Sequence, residues 1–267
     1  MPKTISAAAN PAMANNLVKQ ALEEKPKQVE VKITPPSDNV LTLPGGFLTD
    51  AGEVITEVEV RELNGNDEEA IARATNVGRA LLTILQRGTV RIGDQKADEK
   101  LLDQLLSGDR DTILLAIFKA TFGSKTEVPV FISGETKQVE VDLDKDIKYK
   151  ILTDPINDRV FTVKGRKNEF TVQLPTGITQ KELIMNSDKS QAELTTLMLE
   201  GTVVKIDETP VVSKQQVRSL GLVDRKRIVD AINERIPGPQ FDEITVTDPD
   251  TGSEVNIPVS FGTLFRF

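Results

Sequence analysis

The chain reads as a mixed α+β protein made of two tandem repeats, each an edge strand, a short helical cluster and a β-hairpin, with an extended N-terminal arm ahead of them. Three observations predict this. Several short runs alternate apolar with polar residues, the period of a strand with one wet face. Between those runs, apolar residues recur every three or four positions, the period of a helix. A shift of 115 positions then lays Leu105, Asp109, Arg110, Ile113, Ala116, Ile117 and Gly123 on Leu220, Asp224, Arg225, Ile228, Ala231, Ile232 and Gly238. Average composition would give roughly one such identity by chance.

The arm covers 1–38. Its Ala-, Asn- and Pro-rich start leads into a short helix over 17–24 that Pro26 ends, then an alternating strand over 28–33 and the punctuation Pro35-Pro36-Ser37. The first module covers 39–148. Leu43-Pro44-Gly45-Gly46-Phe47 marks a turn, and 54–60 alternates as a strand. Asn66-Asp67-Glu68-Glu69 places carboxylates at a helix start, and Ile71, Ala74, Leu81, Leu82 and Leu85 continue one helix to Gly88-Thr89-Val90. A short helical stripe over 101–106 stops at Gly108. Asp109 caps a third helix carrying Ile113, Leu114, Ile117 and Phe118, which ends at Gly123. Two alternating runs around Ser133-Gly134-Glu135 form a hairpin.

The second module covers 149–267, with a connector near 144–165. Phe170-Thr171-Val172-Gln173-Leu174-Pro175-Thr176-Gly177 parallels Val58 to Gly65, a shift of 112. A helix over 192–199 ends at Gly201-Thr202-Val203, as the earlier one ends at Gly88-Thr89-Val90. Asp224 opens the counterpart of the Asp109 helix, and a hairpin turns around Asp248-Pro249-Asp250-Thr251-Gly252.

Composition narrows function. The 267 residues include no Cys, His or Trp, which removes thiolate nucleophiles, sulfur or imidazole metal sites and His-based relays. With 33 basic against 41 acidic residues the net charge is −8, and 4 % aromatics leave few stacking platforms, so nucleic acid is not an expected partner. No apolar run reaches the ~20 residues of a membrane span, so no membrane is expected. Phosphate-loop glycines are absent. Asp142 to Asp146 and Asp248 to Asp250 both miss the EF-hand ligand pattern and read as solvated loop carboxylates. Catalytic, cofactor and metal sites are therefore not expected, and a carboxylate-dependent hydrolase stays only as a remote alternative.

Two features could serve a protein interface. Asp109-Arg110 and Asp224-Arg225 are the most repeated polar pair, readable as a contact surface used once per module or as a helix cap beside a surface ion pair. Phe261, Phe265 and Phe267 put three of ten Phe residues in the last seven positions. They read equally as a tail packed on its own core or as an anchor for a partner.

The order of these motifs resembles a known family. Leu222-Val223-Asp224-Arg225, a helix, Pro237-Gly238-Pro239 and the run from Val246 to Val259 are similar to the carboxy-terminal module of T4-like baseplate assembly proteins of contractile-tailed bacteriophages. Leu63-Asn64-Gly65-Asn66-Asp67-Glu68-Glu69 and Leu105-Leu106-Ser107-Gly108-Asp109-Arg110 resemble its first module. Together they cover roughly 41–260. Members often carry C-P-x-C-G at the hairpin tip, a zinc knuckle. Here Asp248 and Thr251, and Ser133 and Thr136 in the first module, stand at those positions, so that site is lost. The resemblance implies a non-enzymatic role as a hub-associated subunit or hub assembly factor. Its partners would be other tail and baseplate hub proteins, with a homo-oligomer also open, in the host cytoplasm during assembly and in the finished tail if the chain stays there. A general protein-binding adaptor is the alternative.

Overall fold

Alternation in 54–60 puts Val58 and Val60 on one side, and in the computed structural model this strand turns that side to the interior. The structure describes residues 39–132, 135–241, 244–247, 252, 254–257 and 259–265. The helix and strand expected in the arm, the tips of both hairpins and Phe267 lie outside the described residues.

The strand over 54–60 is β2 (Val54–Val60). It pairs antiparallel with β1 (Val40–Leu48) on one side and β3 (Thr89–Ile92) on the other, and β4 (Gln95–Lys96) completes a sheet of order β1-β2-β3-β4. Helices α1 (Gly65–Ala72) and α2 (Val77–Gly88) connect β2 to β3. After β4 come α3 (Glu99–Gln104), α4 (Ser107–Phe122), the hairpin β5 (Lys125–Ile132) and β6 (Glu135–Asp142), and β7 (Lys148–Lys150).

The same succession then recurs. Strands β8 (Val160–Lys164) and β9 (Glu169–Gln173) lead through α5 (Gly177–Met185) and α6 (Gln191–Thr202) to β10 (Val203–Ile206) and β11 (Thr209–Pro210). Helices α7 (Lys214–Arg218) and α8 (Leu222–Asn233) follow, then β12 (Gly238–Gln240), the hairpin β13 (Ile244–Thr247) and β14 (Glu254–Ile257), and α9 (Phe261–Leu264). The second sheet runs β8-β9-β10-β11. The chain is thus mixed α+β with antiparallel sheets, and the matching order of elements is compatible with an internal repeat. Each unit holds a four-stranded sheet where the sequence suggested an edge strand.

Several local expectations change. The single helix to Leu85 is two, because Asn76 accepts from the Arg79 N–H at 2.8 Å and starts α2 afresh. The turn at Leu43 to Phe47 is a bulge inside β1, where the register with β2 shifts between Thr42 and Phe47. The connector near 144–165 contains two strands: β8 belongs to the second sheet, and β7, which contains residue 149, pairs with β12.

Apolar burial follows this plan. One cluster joins the first sheet to α2 and α4 through Leu43, Val58, Ile84, Leu105, Ile113 and Ile117. Its counterpart joins the second sheet to α6 and α8 through Phe170, Val172, Leu199, Val217, Ile228 and Ile232. A third draws on both halves: Leu115, Phe118, Val139 and Val141 meet Ile244, Val259 and Leu264.

Candidate functional site

Helix α4 begins beside an extended Leu106, so Asp109 is its third residue and does not cap it through a side-chain bond. Its carboxylate reaches outside the helix instead. One oxygen accepts from the Gly45 N–H in the β1 bulge at 2.7 Å, and the side chain is wholly buried. The other oxygen accepts no hydrogen bond among the described residues. Arg159 stands opposite, donating to the carbonyls of Gly45, at 3.1 Å, and Gly46. Burial pushes the Asp109 carboxyl up to about 7, against the Gly45 hydrogen bond and the Arg159 charge.

Arg110 is buried as well, at 1 % exposure. Its Nη1 lies 3.5 Å from Asp103, while Nε has no partner among the described residues. Burial pulls its pKa down, partly offset by Asp103. Asp111 accepts from Gln180 Nε2 at 3.2 Å, and burial raises it to about 6 despite that bond and Arg110. Lys181 bridges Glu99 and Asp103.

Asp224 is the third residue of α8 and performs the same local task, accepting from the Arg166 N–H at 2.8 Å beside the β8–β9 turn. Arg225 donates to Thr196 Oγ1 at 2.7 Å. Both are half-buried. Each Asp thus fastens a helix start to a backbone turn at the edge of its sheet. Side chains as deep as Asp109 and Arg110 present no surface to a partner, so that pair is a brace and not the contact surface considered from sequence.

The aromatic tail is divided likewise. Phe265 meets Phe118 edge-on with centroids 5.2 Å apart, Phe261 meets Phe241 at 4.9 Å, and Leu264 is buried between them. The described part of the tail packs on its own core.

Sequence patterning missed an open apolar feature. Phe122, the last residue of α4, is 60 % exposed beside a groove of about 420 Å³ lined by Leu63, Ile71, Ile84 and Phe265, with Glu68 at its rim. An apolar residue directly before a helix-ending glycine was its one sequence signal. Arg159 gave none, being 50 residues from Asp109.

Among the described residues no group of three acidic side chains could hold a metal ion, and no helix is long and apolar enough to cross a membrane. In the acidic loop after β6, Asp146 and Asp142 accept from backbone N–H groups of the loop itself. The arrangement can fasten backbone segments and bind apolar surface. No family model, curated protein or solved structure matches the chain.

Proposed function

We propose that the chain is a non-enzymatic structural or assembly component acting through protein–protein contacts. By its resemblance to the T4-like baseplate family, we place that work at the hub of a contractile phage tail. The observation that carries this reading is where the polar chemistry goes. Asp109 and Asp224 are used to hold helices on sheets and Arg110 is buried against Asp103, while an apolar groove stays open beside Phe122. A groove of this kind suits a side chain from another protein.

Gene context and particle composition test the reading. Flanking genes are expected to encode tail tube, tape-measure and hub proteins, and a neighbourhood of metabolic enzymes overturns the phage assignment. Mass spectrometry of purified particles separates the two roles: a hub subunit remains in the finished tail, whereas an assembly factor is found only in the host cytoplasm.

A further inference from the structure

The contact that joins the two halves within the chain has an unused counterpart on its surface. In the internal contact, the start of α4 sits in a cleft of the second half. Ser107 N–H donates to the Pro175 carbonyl at 2.9 Å and Gly177 N–H to the Leu105 carbonyl at 2.8 Å. Gly108 lies so close to Pro237 that a Cβ would stand 1.6 Å from its carbonyl oxygen. Lys181, with Glu99 and Asp103, and Gln180, with Asp111, close the rim.

The shift of 115 carries this inserted segment onto the end of α7 and the start of α8, where Leu222 is 83 % and Val223 45 % exposed. The shift of 112 carries Pro175-Thr176-Gly177 onto Leu63-Asn64-Gly65, and that of 115 carries Ile236-Pro237-Gly238 onto Thr121-Phe122-Gly123. Leu63, Asn64, Gly65, Thr121 and Phe122 all line the open groove. We propose that the α8 start of one copy docks in the Phe122 groove of a second copy, head to tail, repeating between chains the contact that joins the halves within one.

Charge supports this pairing. Inside the chain an acidic segment, with Glu99, Asp103 and Asp111, meets Lys181 and Gln180. At the equivalent positions the exposed segment is basic, with Lys214, Arg218 and Lys226, and the groove is acidic, with Glu69 and Glu68. Both ends of the contact change character together, so opposite charges meet again. The same basic segment placed against a Lys181 cleft would meet like charge, which directs it to the groove.

In one chain these groups hold local partners: Lys226 pairs with Asp230, Arg218 with Glu200, and Glu69 with Arg73. The exposed pairs Lys226–Asp230 and Glu69–Arg73 exchange at little cost, whereas Lys214 and Arg218 both hold the buried Glu200 and keep it on docking. Leu222 and Val223 replace Ser107 and Gly108, so backbones cannot approach as closely, and the groove offers the volume that these side chains need. Because the two faces differ, association continues until it closes a ring or forms an open run.

Sedimentation velocity and light scattering on the full chain test this independently of any viral role. The mass is expected to rise above one chain with concentration, and less so in high salt. Leu222→Asp, and Glu68→Lys combined with Glu69→Lys, should each hold the mass at one chain without changing the thermal melt. Mixed in equal amounts they should give a two-chain species and nothing larger, since one sound face of each kind remains. Should either variant fail to fold, Lys226→Glu and Glu68→Lys provide a second test by charge exchange. Each alone should stay at one-chain mass, and their mixture should associate beyond two chains, because both crossed contacts again pair opposite charges; a mixture that stays single overturns the proposal. Wild-type protein that stays at one-chain mass at every concentration overturns the proposal. So does a variant that associates like wild type, or a mixture that stays single while wild type associates.

Discussion

Asp109 and Asp67 are both carboxylates with almost no exposed surface, and their neighbours drive them in opposite directions. Asp67 receives Arg61 at 2.7 Å and Arg87 at 3.3 Å, and the Arg61 hydrogen bond is the main cause that holds its pKa down to about 2. Its stabilisation is present above the unfolded value of 3.8 and is lost as pH falls from there toward 2. For Asp109 burial outweighs the Gly45 hydrogen bond and the Arg159 charge, and its pKa rises to about 7. The folded state then holds a proton that the unfolded state releases. That contribution is complete below 3.8 and is lost as pH rises to about 7, a limit of about 4 kcal/mol for a shift of this size. Asp109→Asn is expected to flatten the fall in stability across this window and to leave the protein at least as stable as wild type above it. Urea midpoints at several pH values check this. An unchanged slope in the variant would assign the pH dependence to Asp111, which also titrates high, at about 6.

At the scale of elements, periodicity located most helices and strands, and tertiary partners fixed where they stop. The hairpin β5–β6 is in register from Lys125 opposite Asp142 to Ile132 opposite Glu135, as the two alternating runs require. The β1 bulge was not legible as a strand, because Pro44-Gly45-Gly46 carries turn chemistry and its partners, Asp109, Arg159 and the Leu152 N–H, are distant in sequence. The tail was equally ambiguous: three aromatic residues at a chain end look the same whether they seek a core or a partner. The packing of Phe265 against Phe118 and of Phe261 against Phe241 makes this segment part of the third cluster. Leu264→Ala should therefore cost about 2–5 kcal/mol, the range for emptying a buried leucine site. A urea midpoint within error of wild type would show that α9 contributes nothing to the fold.

For the whole molecule, the tightest backbone approach between the halves is that of Gly108 to Pro237. Gly108 lies within α4, where replacing glycine by alanine should favour the helix by about 1 kcal/mol. A methyl group there would overlap the Pro237 carbonyl, and overpacking of this severity costs about 3 kcal/mol or more. Sterics wins, so Gly108→Ala is expected to lower stability, read as a lower melting temperature and urea midpoint. A stabilised variant would mean that the halves can separate without loss. Gly238 faces Gly108 with φ of +115°, a conformation that L side chains rarely adopt, so both sides of this contact depend on glycine.

By itself the sequence determined the α+β class, the order of helices and hairpins, and the correspondence between the Asp109 and Asp224 helices, because apolar spacing and glycine stops are local properties. It could not decide which copy of a repeated feature is buried. Asp109-Arg110 and Asp224-Arg225 are identical as dipeptides, and their local frames are alike. The first is sealed because Pro175–Gly177 and Ile236–Gly238 fold over the start of α4, whereas among the described residues no such cover lies over Leu222 at the start of α8. Burial is set by chain segments far away in sequence, and only the tertiary structure brings those together.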